Sequence, residues 1–546
     1  MNAALLALGV LALYAFAYRY YSGFLTRRVF GLRADENVPA RDFQDGVDFV
    51  PTKMHVLWGH HYTSIAGAAP IVGPALAVIW GWLPALLWVV VGTVLMGAVH
   101  DFSALVISLR HRGQTIGEIA GIVISPRVRI LFLLIISFLI WIVLAVFAFI
   151  IGTLFRSYPA SIFPINIQII LALTLGWGVY RRTWSILPVS LVAYAMLLTS
   201  VLYGQAFVDA IPALGQLSVE AWVWILMIYS FVASVLPVWL LLQPRDYLNS
   251  HQLITGLAVL FLGLMLLQPQ IQAPLVNLHP EGSPPLLPFL FITIACGAIS
   301  GFHGLVSSGT TSKQIACMTD ARPIGYGGML GEGTLALMAI LAATAGFESS
   351  SEWLAHYQSW SAASGLSPKL EAFVNGSGRF VSELGVPSEL SRTFVAVMVI
   401  AFAATSLDTG ARIQRLIIAE LAESAGLRAL TNRFAAAAVG VGAALLLAVT
   451  QAGGKGGLVL WPLFGTTNQL VAGVTLLVVT VWLRRGGRPA LYTFVPMLII
   501  GAATFVAMLG EIRGHLAAAR WLLATMGSAI LILDAWVILE GFRVLL

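Results

Sequence analysis

Apolar runs of membrane-spanning length follow one another along this chain, separated by short polar breaks. Fifteen can be marked, at roughly 3–19, 56–80, 83–108, 129–153, 165–180, 186–204, 221–242, 252–269, 287–308, 325–346, 391–410, 432–450, 457–482, 490–510 and 521–542. Each approaches the about 20 apolar residues that an α-helix needs to cross a bilayer. The pattern predicts an all-α polytopic membrane protein with about 15 transmembrane helices. The one sizeable polar stretch, Phe347 to Glu389, mixes Ser, Gly and Glu with short amphipathic runs, which predicts a loop with one or two surface helices, acting as connector or lid.

Two of the runs are interrupted. From Trp58 to Pro84 the chain is apolar enough for lipid, yet Gly67, Pro70, Gly73 and Pro74 crowd its middle. Proline removes an N–H and clashes with the preceding turn, so nearby carbonyls lose their helical partners. Hydrocarbon tolerates such groups only where they face protein or a water-filled cavity. Pro288 to Ser308 is broken in the same way by G-A-I-S-G-F-H-G at Gly297 to Gly304. Small residues that merely let helices pack closely account for Gly59 or Gly92, but poorly for G-x-x-P-x-x-G-P. The two broken spans are seven apart and so run in opposite directions, as inverted repeats require, with a binding site expected where they cross near the midplane.

Composition agrees with one membrane domain: mean hydropathy is +0.90, 59% of residues are hydrophobic and only 10% are charged. The net charge of +6 reports orientation and not a nucleic-acid partner. With Arg19 to Lys53 placed in the cytoplasm and sides alternating, only Arg156, Lys369, Arg379, Arg392, Lys455, Arg513 and Arg520 of the 30 Lys and Arg fall on the outer side. That is the positive-inside asymmetry, and it predicts an outside N-terminus and a cytoplasmic C-terminus. The first run lacks a positive leader and reads as an uncleaved anchor. Cys296 and Cys317 lie in or beside spans, so no disulfide framework is expected. The expected organisation is a single transmembrane domain over 1–546: an N-terminal span and cytoplasmic loop (1–54), a transport core (55–483), an extracytoplasmic loop (347–390) and peripheral C-terminal spans (484–546).

Long strings then make a resemblance. They are H-V-L-W-G-H-H-Y-T-S-I-A-G-A-A-P-I-V-G-P from His55, G-A-V-H-D-F from Gly97, L-P-V-W-L-L-L-Q-P-R-D-Y-L from Leu236, I-A-C-G-A-I-S-G-F-H-G-L-V-S-S-G-T-T-S-K-Q-I from Ile294, T-S-L-D-T-G-A-R from Thr405 and W-P-L-F-G-T-T-N-Q-L from Trp461. Together they resemble the carbon-starvation protein A (CstA) family. The resemblance implies the LeuT-like inverted repeat of the amino acid–polyamine–organocation superfamily, a bacterial cytoplasmic (inner) membrane location, and uptake of peptides or pyruvate driven by an ion gradient. It leaves the number of copies, and any small accessory subunit, open.

Candidate chemistry is sparse, because ionisable groups inside spans are costly and by default functional. The expected substrate site comprises Ala66, Gly67, Pro70 and Gly73 at the first break with Ser300, His303 and Ser307 at the second. Half-helix N-termini favour anions there, and His303 suits either a carboxylate or a proton. Thr405 and Ser406 resemble the Thr-Ser pair that coordinates Na⁺ with carbonyls of the first broken helix in LeuT-like transporters. Asp408 and Glu332 join them as carboxylates for cation or proton coupling, although Asp408 also has Arg412 available at i+4. Glu332 lies nine residues beyond Pro323, about 14 Å into its span if helical. His61, His100 and Asp101, with Arg245 and Asp246, form an expected inner gate in which His61 pairs with Asp101. The histidines His60, His61 and His100, with His55 nearby, also form a candidate metal or haem site, histidine being a common metal ligand. Trp461, Asn468 and Gln469 are expected to line or brace the bundle.

The leading expectation is a secondary active transporter that imports a small carboxylate or short peptides with H⁺ or Na⁺, in contact with membrane lipid. The alternative is a membrane-embedded metal- or haem-binding protein with a redox or sensing role. No nucleophile–base constellation and no G-x-x-x-x-G-K-[ST] motif points to an enzyme or an ATP-driven pump.

Overall fold

The computed structural model describes residues 1–545, and among these all the named elements are helical, with two isolated bridges at Asn2–Gln270 and Thr52–Ile315. Ten helices are long and apolar enough to cross a membrane, or twelve if each of two bent pairs is one span. One bent pair is the first broken helix, Met54–Ile65 with Ala69–Trp80, at 46°. The other is Ile186–Leu202 with Gly204–Ala210 at 58°; its first helix fills the run expected over 186–204, and the bend comes at that run's end. The runs at 221–242 and 432–450 are met by helices of 17 residues each, Val219–Val235 and Arg433–Val449. The run at 287–308 divides into Leu286–Thr293 and Gly301–Gly309, of 8 and 9 residues. Length and composition therefore support ten to twelve crossings, and about fifteen only if these three also cross.

Burial sorts the helices. The apolar window of Ala452–Arg485 is 94% buried and that of Met318–Ala345 89%, against 39% for both Leu491–Ala517 and Trp521–Leu545. The long helix Pro126–Ser157 packs against both Ser388–Ser424 and Gly456–Arg485, and the three help enclose the broken pair. Large apolar side chains such as Met196, Leu446, Ile532 and Leu539 stay exposed on the outside, as they do where lipid is the solvent.

The breaks have local causes. Ala66 leaves helical geometry at φ −77°, ψ 60°, and Pro70 then opens the second half, where a missing N–H costs nothing. A Cβ on Gly67 would sit 2.7 Å from Ser406 Oγ and 3.2 Å from the Phe147 ring, so any side chain here would have to push Ser406 and Phe147 aside. In the second helix Ile294 ends the first half, Gly297 takes φ +91° and Ser300 is extended. The breaks touch: Gly297 lies against Pro70, and a Cβ on Gly73 would meet Thr293 O at 2.3 Å. Residues 347–387 carry three helices where one or two were expected: the short Ser350–His356 and Trp360–Ala363, and the 17-residue Leu366–Ser382; residues 388–390 already belong to Ser388–Ser424. The three helices dock over one end of the bundle, where Tyr357 donates to Ala75 O at 2.6 Å and Trp353 to Ala343 O at 3.1 Å.

Candidate functional site

The second break is held open by side chains from other elements. Trp88 Nε1 donates to Ile294 O at 3.1 Å and Thr93 Oγ1 to Gly297 O at 2.9 Å. Asn468 Oδ1 accepts from the Phe302 N–H at 2.8 Å and from Ser300 Oγ at 3.2 Å, capping the half-helix Gly301–Gly309. Gln469 Nε2 donates to Phe291 O at 2.6 Å. The bracing expected of Asn468 and Gln469 is thus specific: they satisfy backbone groups that the interruption frees.

On the first turn of that half-helix, His303 stands between two carboxylates. Its Nδ1 lies 3.0 Å from Asp101 Oδ2, and its Nε2 lies 3.3 Å from Glu332 Oε1. The second contact is not aligned as a hydrogen bond and leaves both Glu332 oxygens without a hydrogen-bond partner. Asp101 Oδ1 in turn meets His100 Nδ1 at 2.8 Å. All four side chains are fully buried. Glu332, His303, Asp101 and His100 therefore form a line of titratable groups drawn from three helices. Ser307, one turn after His303, is buried with its hydroxyl unpaired.

A second ionic line lies on the other side of the half-helix Met54–Ile65. His60 Nδ1 meets Asp246 Oδ2 at 2.5 Å, and Arg245 Nη2 meets Asp246 Oδ1 at 3.5 Å. Arg245 then pairs with Asp408, which also accepts from Tyr229 OH at 2.8 Å. This line bridges the first broken helix to Leu242–Leu267, Ser388–Ser424 and Val219–Val235.

Three expected partnerships change. Asp408 pairs with Arg245 and not with Arg412; the Arg412 guanidinium turns out to Asp48 Oδ1 at 2.7 Å, and Arg415 reaches the same carboxylate at 3.0 Å. Burial opposes the charge on Asp48, but the two arginines outweigh it and hold its carboxyl at about 2. His61 does not pair with Asp101: its Nδ1 faces Thr311 at 2.9 Å, and the two Asp101 oxygens are taken by His100 and His303. Thr405 and Ser406 are divided because consecutive helical residues point about 100° apart. Thr405 accepts from Asn249 Nδ2 at 2.5 Å, whereas Ser406 donates to Ser64 O at 3.0 Å. One turn on, Thr409 joins Ser64 Oγ at 3.1 Å, so Ser406 and Thr409 share the face that meets the first break.

Ala66, Gly67, Pro70 and Gly73 all lie at the first break, within reach of the second through Pro70 and Gly73. His60, His61 and His100 each face a different partner, and among the described residues no three His, Cys, Asp or Glu side chains are arranged to hold a metal ion. Cys296 and Cys317 are both free. Tyr229, Asn249, Asp48 and Thr409 belong to these networks without having been singled out. Asn249 lies in the polar stretch Gln243 to Gln252, ahead of the apolar run, so nothing local set it apart from its neighbours.

The sequence model of the family described as carbon starvation protein CstA matches residues 2–355 and 352–507. A peptide transporter CstA of Helicobacter pylori is 34% identical over 565 aligned residues, 92% of this chain and 81% of that protein. The Mycobacterium tuberculosis protein of that name is 34% identical over 89% of this chain and 72% of its own length. The pyruvate/proton symporter BtsT of Escherichia coli is 40% identical over 342 residues, 61% of this chain and 48% of the symporter. Among solved structures, a point mutant of the Eremococcus coleocola manganese transporter aligns with 92% of this chain and 99% of its own at TM-score 0.52 and 12% identity, a likeness of fold alone.

Proposed function

The chain belongs to the carbon starvation protein CstA family, and on that premise we propose that it is a proton-coupled secondary transporter importing a small carboxylate such as pyruvate, or short peptides. The observation that carries the reading is the buried line Glu332–His303–Asp101–His100 at the second helix break. The relatives' names agree with it, one being a peptide transporter and another a pyruvate/proton symporter. In this reading the core is a LeuT-like inverted repeat and about fifteen spans cross a bacterial cytoplasmic membrane, with the N-terminus outside and residues 347–390 on the outer face.

The chemistry follows from the two breaks. The N-terminus of Gly301–Gly309 presents partial positive charge, and His303 beside it suits a substrate carboxylate when protonated. Glu332 and Asp101 compete for the same imidazole, so protonating one of them frees His303 for substrate. Proton and anion then enter together, which is symport. The His60–Asp246–Arg245–Asp408 line ties the inner half of the first broken helix to its neighbours, and its breaking and remaking is the inner gate. Ser64 O, Ser406 and Thr409 remain the place for Na⁺ if sodium is the coupling ion.

The test is uptake of radiolabelled pyruvate, and separately of dialanine, into proteoliposomes under imposed pH and Na⁺ gradients. A pH gradient alone is expected to drive accumulation. Accumulation with Na⁺ only would transfer the coupling role to the Ser64–Ser406–Thr409 cluster, and failure with both substrates would overturn the reading.

A further inference from the structure

A buried lysine without an anionic partner stands at the capped end of the bundle. Lys369, on the helix Leu366–Ser382, is 4% exposed. Among the described residues it makes no ion pair, and burial alone pushes its ammonium down to about 7. Glu371, two residues on, projects to another side of the helix, where it lines a cavity of about 260 Å³ with Glu352 and His356. The Lys369 ammonium lies over the face of Trp461, with Nζ 5.0 Å from the ring centroid. A cation–π contact recovers only part of the cost of desolvating an ammonium.

Trp461 heads a column of aromatic rings. Its centroid lies 5.6 Å from that of Phe464, which lies 6.3 Å from that of Phe147. The Phe147 ring closes on the first helix break, 3.2 Å from where a Cβ of Gly67 would stand. One ring therefore follows another from Lys369 to the break. Trp461 is partly exposed, while Phe464 and Phe147 are buried behind it. An ammonium at the exposed end of such a ring column suits a small organic anion: the ammonium pairs with its carboxylate, and the aromatic faces meet its carbon skeleton.

We propose that Lys369 is the outer recognition residue for the substrate's carboxylate, receiving it at the head of the Trp461–Phe464–Phe147 column before it reaches Gly67. The inference rests on the carboxylate-importer reading above and adds an outer binding step to it. A carboxylate arriving at Lys369 supplies the counter-charge that the resting structure withholds, so the burial that disfavours the lone ammonium favours the pair.

The test compares wild-type protein, Lys369→Met and Lys369→Arg in proteoliposomes, with initial rates of pyruvate uptake over a range of concentrations at a fixed pH gradient. Methionine keeps the apolar stem and removes the charge; arginine keeps the charge. Lys369→Met is expected to raise KM about tenfold with kcat little changed, the mark of a lost binding contact, while Lys369→Arg stays within about threefold of wild type. A wild-type KM in Lys369→Met would overturn the proposal and leave the transport reading standing. Equal impairment of both variants would assign Lys369 to packing and also overturn it. Absence of pyruvate and dialanine uptake by the wild-type protein would instead overturn the transport reading, and this inference with it.

Discussion

At the scale of single residues, what distinguishes this bundle is how its few buried charges are shared. Arg245 serves Asp408 and Asp246 together, and Asp408 also takes the Tyr229 hydroxyl. Removing one partner of a buried pair leaves an uncompensated charge, which costs about 3–5 kcal/mol, whereas replacing both by apolar groups is often near neutral. Arg245→Met and Asp408→Leu are each expected to lower the thermal stability of the purified protein by several degrees. The double variant is expected to regain more than half of the summed loss. Additive losses in a thermal unfolding series would show that the pair does not act as one. These partnerships were the least legible part of the sequence. His303, Asp101, Glu332 and Asp408 stood out as polar positions in apolar runs, but neither their spacing nor their order says that Asp101 takes His303 and not His61, or that Asp408 takes Arg245 and not Arg412. Those choices are made by helix rotation and by packing between segments far apart in the chain.

At the scale of elements, the interrupted helices were legible because proline and glycine act locally. G-A-A-P-I-V-G-P breaks a helix wherever it is placed, and the break falls at Ala66 to Ala68, between the halves Met54–Ile65 and Ala69–Ala77. The second break carried a weaker signal, with glycines but no proline inside it, and its geometry depends on Trp88, Thr93 and Asn468 from other helices. The sharp bend after Leu202 went unforeseen, since Tyr203 and Gly204 lie in an unremarkable apolar run. Gly297 tests the element directly. Its φ of +91° and the Ala336 Cβ 2.8 Å from its own Cβ position leave no room for a side chain. Gly297→Ala is expected to destabilise the protein by about 1–3 kcal/mol through overpacking and to abolish accumulation. Unfolding temperature and uptake measured on the same preparation check it, and full uptake at wild-type stability would show that the break tolerates ordinary backbone.

At the scale of the whole molecule, two ionic lines flank the half-helix Met54–Ile65. Its consecutive histidines divide between them: His60 faces Asp246 in one, while His61 sits with Thr311 beside the other, its ring 2.9 Å from the Cβ position of Gly328 on the helix that carries Glu332. A rigid movement of this one half-helix therefore bears on both the Arg245–Asp408 tie and the His303 cluster; under the proposed function, this is the route by which protonation of the cluster acts on the Arg245–Asp408 tie. Coupling of that kind requires the proton to be obligatory for net transport but not for exchange. The most direct measurement is Glu332→Gln in proteoliposomes, assayed both for counterflow of labelled against unlabelled pyruvate and for accumulation driven by a pH gradient. Counterflow is expected to persist while gradient-driven accumulation is lost. Accumulation at the wild-type level in Glu332→Gln would show that Glu332 carries no coupling proton.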